Sequence, residues 1–181
     1  HGWVQYIEHE MLETQEASDD FYRRLGSLLA ILYSLDTVDI FFENLVAAGK
    51  FPVVVDLETL FHSNLEANPG NTAPELAKYQ LQQSVMAIGI LPAPSVSGDG
   101  STFDISAIGA SVGQEAPYNV IGITNFGRDD IKITNIPGWI PSVHNTPSSA
   151  TKISSAKIID GFSKSYDFIM LKRAELLADQ G

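Results

Sequence analysis

The sequence predicts an α+β domain in which helices pack around a few short strands. Two amphipathic stretches carry that reading. In residues 19–35, Phe21, Leu25, Leu28, Leu29 and Leu32 recur at helical spacing; in residues 154–177, Ile159, Phe162, Tyr166, Ile169, Met170 and Leu177 do the same. The third observation is a β-branched run, Val53–Val55, too short for a helix and suited to a buried strand.

Taken in order, the first helix has Ser18 and Asp19 as candidate N-caps, since their side-chain oxygens can accept the unpaired N–H groups of a first turn. Asp36 and Thr37 end it, and Ala48-Gly49-Lys50 supplies a turn before the strand, which stops at Asp56. Residues 63–73, with Asn64, Asn68, Pro69, Gly70 and Asn71, read as an exposed loop. Residues 74–86 read as a helix opened by Pro74 and Glu75, because proline is tolerated only where no intrahelical N–H bond is needed. Residues 88–91 are expected to form a short strand stopped by Pro92 and Pro94, and residues 93–102 a mobile loop. Small strands follow around 104–106 and 119–124, with 131–134 the strongest of them. Pro137, Gly138, Pro141 and Pro147 mark a tethered loop up to Ser149, and Gly161 weakens the closing helix locally.

Composition narrows the function classes. At 181 residues with 44% hydrophobic composition, the chain suits one globular domain or part of one. Its 11 Lys and Arg stand against 22 Asp and Glu, a net charge of -11, which argues against nucleic acid as a partner, because a phosphate backbone calls for a basic footprint. No cysteine is present, so disulfides, thiolate nucleophiles and cysteine-ligated zinc are excluded within this segment. No apolar run approaches the roughly 20 residues of a membrane span, and no signal layout opens the chain. A cytoplasmic location is expected. The chain begins at His1 rather than Met and reads as ordered sequence from Gly2 to Ile7, as the interior of a longer protein would.

The chemistry is concentrated in Asp39-Ile-Phe-Phe-Glu-Asn44 and, after the Val53–Val55 run, Asp56-Leu-Glu58. Phosphoryl transfer from ATP needs an acid that receives a hydroxyl proton and oxygen ligands that hold Mg²⁺, and kinase-type sites take these from a catalytic loop plus a later acid at a strand end. Asp39 fits the base, Asn44 a metal ligand, and Asp56 a second metal ligand. The bland alternative is conformational: Asp and Asn populate turns, and acids commonly end strands.

Three segments, Phe21-Tyr-Arg-Arg-Leu-Gly-Ser-Leu-Leu-Ala30, Asp39-Ile-Phe-Phe-Glu-Asn-Leu45 and Val53-Val-Val-Asp-Leu-Glu-Thr-Leu-Phe-His62, together resemble the dehydratase domain of class II lanthipeptide synthetases, the LanM enzymes. The likeness continues through Ser84-Val85, Leu91-Pro92, Asp104-Ile-Ser106, Asn145-Thr-Pro147, Gly161-Phe162 and Tyr166. It implies a lipid-kinase-like C-lobe, with residues 1–181 forming part of a single dehydratase domain truncated at both ends. It further implies ATP- and Mg²⁺-dependent phosphorylation of Ser and Thr in a ribosomal precursor peptide, then elimination of phosphate to give dehydroalanine and dehydrobutyrine. By position Asp39 matches the catalytic aspartate, Asn44 the loop asparagine and Asp56 the metal-binding aspartate, with Glu58 and His62 in the same signature. The family's ATP-holding lysine falls upstream of this chain, and its elimination residues and zinc-binding cyclase downstream, so the isolated chain is expected to be inactive. One position departs: where the family loop usually has His, this chain has Phe41, which cannot hydrogen-bond phosphate. A catalytically silent peptide-binding module is therefore the alternative.

Other candidates have plainer readings. Glu43 is left out of the metal set as a charged loop residue. His9 lacks a second His at helical spacing and reads as part of a solvated helix face, His144 as a loop-ordering residue, and Arg23 and Arg24 as candidate phosphate contacts or partners of Asp19 and Asp20. Gly109, Gly113 and Gly127 form no nucleotide-binding glycine loop.

Overall fold

The computed structural model describes residues 5–62, 69–98, 100–110, 113–140 and 153–178. The architecture is α+β. Helix α1 (Gln15–Ser34) leads into a hairpin of β1 (Leu45–Ala48) and β2 (Phe51–Val54); α2 (Ala73–Gln82) and a 3₁₀ turn (Val85–Ile88) follow. Then come β3 (Ser95–Val96) with β4 (Thr102–Phe103), a long ribbon of β5 (Glu115–Thr124) and β6 (Lys132–Trp139), and α3 (Ser155–Leu176). Each of the three sheets is a two-stranded antiparallel pair. Among the described residues no helix is long and apolar enough to cross a membrane.

Helix α1 organises the core. Phe21, Tyr22, Leu25, Leu29 and Leu32 recur every three or four residues, so they fall on one face, and all are buried. Against them pack Ile40, Leu45, Ala47, Ile88, Ile90, Ala107, Ile108 and Ile158. The helix starts earlier than Ser18 and Asp19 suggested. Thr14 is its cap, with its hydroxyl oxygen accepting the Ala17 N–H at 3.2 Å, and Ser18 is buried within the helix. Glu16 in the first turn adds a negative charge where the helix dipole favours one.

Helix α3 crosses α1 with almost no spacing, because each helix offers a glycine. A Cβ at Gly161 would lie 1.9 Å from the Arg23 carbonyl oxygen, and one at Gly26 would lie 2.0 Å from that of Ile158. Gly161 is thus the contact point, and the face read from sequence is right in part: Phe162, Tyr166 and Ile169 are half-buried, whereas Ile159, Met170 and Leu177 are exposed and Ile158 and Gly161 are the buried residues. Phe162 and Tyr166 stack on each other at 5.6 Å between ring centres and flank Tyr33 of α1.

Ion pairs border the crossing: Lys157 to Asp19 at 3.0 Å, Arg23 to Asp160 at 3.3 Å and Lys164 to Asp160 at 2.8 Å. The Lys164 ammonium, then Arg23, holds the Asp160 carboxyl below the usual aspartate range; the Gln15 amide, then Lys157, does so for Asp19. Both folded-state values are depressed, so the stability they contribute is whole above the ordinary aspartate range and is lost as pH falls through the lowered values. Denaturant midpoints measured against pH are expected to drop on acidification in the wild type and less steeply in Asp160→Asn. The difference should be small and fade at high salt, since these pairs are solvent-accessible.

Several expectations change. Strand β1 was not anticipated, and β2 begins at Phe51 and ends at Val54. Residues 88–91 make no strand, because the 3₁₀ turn closes on Gly89 at φ +87°, a left-handed conformation that takes the chain out of β geometry. The helix expected over 74–86 ends at Gln82. Ser95 and Val96, within the 93–102 segment, pair with Phe103 and Thr102. Pro137 and Gly138 lie within β6, tolerated because a two-stranded ribbon has free edges where a missing N–H costs no ladder bond. Glu8-His9-Glu10 lies in no helix, and Glu10 bridges to Ala48 in parallel. Asn64, Asn68, Pro141, His144, Asn145 and Pro147 lie outside the described residues.

Candidate functional site

The link from α1 to β1 and the segment after β2 run side by side. Residues 36–39 leave the helix through two left-handed residues, Asp36 at φ +50° and Asp39 at φ +61°; opposite them Phe61 sits at φ +59°. Such backbone is uncommon for residues other than glycine, least so for Asp and most for a bulky aromatic. It is held by cross-links: the Phe61 N–H donates to the Leu35 carbonyl at 2.9 Å, the His62 N–H to the Asp36 carbonyl at 3.0 Å, and the Thr59 hydroxyl to the Val38 carbonyl.

Those bonds bring the three sequence candidates into one neighbourhood. The Asn44 side-chain amide donates to the Asp39 backbone carbonyl at 3.1 Å, closing the Asp39–Asn44 loop on itself. The Asn44 backbone carbonyl in turn accepts the Val55 N–H at 3.0 Å, so Asp56 follows directly from the residue paired with Asn44. Asp56 accepts the Glu58 N–H through Oδ1 at 3.2 Å, a turn that keeps its carboxylate beside the chain. Asp39 and Asp56 are exposed and Asn44 half-buried.

The donor chemistry is hard oxygen. The Asn44 NH₂ is committed to Asp39 and Asp56 Oδ1 to Glu58; among the described residues no hydrogen bond engages the Asn44 amide oxygen or Asp56 Oδ2, and oxygens of these two kinds are able to ligate Mg²⁺, which prefers few protein ligands alongside phosphates and water. Among the described residues no three His, Asp or Glu side chains cluster as a metal centre. Glu43, Glu58 and His62 are exposed. Arg23 and Arg24 both pair with Asp20, at 2.6 and 3.5 Å, and Arg24 also lies 4.7 Å over the Phe51 ring. Phe41 is half-buried, and a Cβ on Gly89 would come 3.1 Å from its ring.

A groove of about 930 Å³ adjoins the site, lined in part by Asp36, Thr37, Phe61, Tyr166 and Arg173; Asp39, Asn44 and Asp56 stand outside its lining. Sequence reasoning missed Thr59 as a residue whose side chain joins the two segments. Its place inside the Asp56–His62 signature was the available signal.

A family model described as a domain of unknown function, DUF4135, matches residues 1–181. The chain belongs to the DUF4135 family. This DUF4135 domain is also similar to the lacticin 481/lactococcin biosynthesis protein LcnDR2 of Lactococcus lactis subsp. lactis, with 29% identity over 187 residues. The alignment covers 98% of this chain and 20% of the relative, so the DUF4135 domain spans about a fifth of that protein's length. The resemblance drawn from the sequence is borne out by this match.

Proposed function

We propose that this DUF4135 domain is a segment of an enzyme of lanthipeptide biosynthesis that phosphorylates Ser and Thr of a ribosomal precursor peptide with ATP and Mg²⁺, then eliminates the phosphate. The observation that supports the reading is the bonded path from Asp39 through Asn44 to Val55 and Asp56, which puts these three residues on adjoining backbone segments. The similarity to a lacticin 481/lactococcin biosynthesis protein supports the pathway and the peptide substrate.

In this reading Asp39, exposed at the loop's start, accepts the proton of the Ser or Thr hydroxyl as that oxygen bonds to the γ-phosphorus of ATP, the bond from that phosphorus to the bridging oxygen breaks and ADP leaves. Asn44 and Asp56 would hold Mg²⁺, which when bound neutralises charge on the nucleotide phosphates. Phosphate then leaves far more readily than hydroxide would, and removal of the α-proton completes the alkene. Asp39 sits at φ +61°, and strained backbone of this kind gathers at functional sites where the surrounding structure holds it.

A second reading rests on Phe41. At the position where the resemblance calls for a histidine, an apolar ring packs at Gly89, which favours a silent module that only binds peptide. The full-length protein, incubated with ATP, Mg²⁺ and a precursor peptide that carries Ser and Thr, separates the two by mass spectrometry. Phosphate additions followed by successive water losses are expected. Peptide binding with no mass change would leave the silent module standing.

A further inference from the structure

We propose that Asp104 is a positioning residue for the Asp39–Asn44 loop; the inference rests on reading that loop as catalytic. Asp104 is a buried carboxylate, 9% exposed, and among the described residues it has no ion pair. Both its oxygens are committed to backbone N–H groups from separate stretches of chain: Oδ1 to Ser106 at 2.8 Å and Oδ2 to Ala93 at 2.9 Å. A buried carboxylate satisfied by main-chain donors acts as a bracket, since loss of either partner leaves a desolvated polar group unpaired.

What the bracket holds is the back of the loop. The Ile105 carbonyl, between Asp104 and Ser106, accepts the Phe42 N–H at 3.1 Å, and Phe41 forms an antiparallel bridge with Ser106. The next two residues extend the seam: Ala107 and Ile108 donate to the Gly89 and Ile90 carbonyls at 2.9 and 3.1 Å, and the Ile88 carbonyl takes the Ile40 N–H at 2.7 Å. Asp39 and Asn44 are the two ends of the segment so clamped. Gly109 closes the bracket: its N–H donates to the Ser106 hydroxyl oxygen at 3.1 Å, and a Cβ there would fall 2.3 Å from Asp104 Oδ2. The site carboxylates are exposed, so packing of their own side chains contributes little to their placement. The Asp39–Asn44 loop is set from behind, through Phe41 and Phe42.

The test compares Asp104→Ala and Asp104→Asn with wild type in the full-length protein, using amide hydrogen exchange over residues 38–44 and steady-state modification of a precursor peptide that carries Ser and Thr. In Asp104→Ala, exchange at Ile40 and Phe42 is expected to rise about tenfold while α1 keeps its protection. Its kcat should fall about ten- to a hundredfold with KM for ATP little changed, because misplaced groups lose rate before they lose binding. Asp104→Asn, which retains one acceptor oxygen, should recover part of both losses, and it carries the comparison alone if the alanine variant does not fold. Unchanged exchange at 40–42 in a folded variant overturns the proposal. So does unchanged kcat in Asp104→Ala when Asp39→Asn is inactive. If Asp39→Asn itself retains full turnover, the catalytic reading of the loop has failed, and the exchange measurement still decides whether Asp104 holds it.

Discussion

Asp39→Asn in the full-length protein is expected to lower peptide phosphorylation by about 10²–10⁴-fold, the span that a positioned general base contributes. Asparagine is the right replacement for two reasons. It occupies left-handed backbone nearly as readily as aspartate, so φ +61° at this position is no harder to hold. The bond from Asn44 goes to the Asp39 backbone carbonyl and survives the change. The side chain is exposed, so folding stability should move by no more than about 0.5 kcal/mol. The loss should therefore appear in kcat, with ATP binding intact. Asp56→Asn is predicted to behave differently: it weakens an oxygen ligand, so added Mg²⁺ should restore part of the lost rate. Water losses counted by mass spectrometry across a magnesium titration distinguish the two signatures. Equal activity of both variants and wild type would remove the proposed chemistry from this site.

The largest effect on stability is expected at Gly161. Helix propensity alone predicts that Gly161→Ala stabilises α3 by roughly 1 kcal/mol, because alanine loses less backbone entropy on becoming helical. The crossing predicts the opposite sign. A methyl group 1.9 Å from the Arg23 carbonyl oxygen cannot be accommodated by turning a side chain, since its obstacle is the backbone of α1; the helices have to separate. Separation opens the packing of Ile158 against α1, weakens the Phe162–Tyr166–Tyr33 ring cluster and lengthens the Arg23–Asp160 and Lys157–Asp19 pairs. A loss of about 3 kcal/mol follows, at the upper end of ordinary overpacking costs. Gly26→Ala should behave alike, its Cβ meeting the Ile158 carbonyl oxygen at 2.0 Å. Chemical denaturation of the wild type and both variants measures this. A midpoint that rises in Gly161→Ala would show that the helices do not cross so closely.

Elements dominated by local pattern are legible in the sequence. The spacing of Phe21, Leu25, Leu29 and Leu32 placed α1 and its buried face, because a 3.6-residue period leaves few ways to cover so many apolar side chains. The turn at Ala48–Lys50 was readable for a comparable reason: Gly49 sits at φ +57°, a conformation glycine adopts without steric cost. The mixed helix and strand class, and the kinship carried by Val53–His62, were likewise open to reading. Strand β1 was not, since Leu45-Val-Ala-Ala48 has no strong alternation and is a strand because Phe51–Val54 pairs with it.

At the site, residue identities and spacing named Asp39, Asn44 and Asp56, but their neighbourhood depends on bonds between segments far apart in the chain, such as Thr59 to Val38 and Phe42 to Ile105. The helical face of α3 shows the same division. Hydrophobicity nominated Phe162, Tyr166 and Ile169, which are half-buried, together with Ile159, Met170 and Leu177, which are exposed; the crossing itself chose Ile158 and Gly161, because close contact between two backbones is governed by the smallest residues and not by the most apolar. Local periodicity and side-chain chemistry belong to the linear chain; which surfaces meet, and at what separation, is settled by steric fit among elements that no short window of sequence contains.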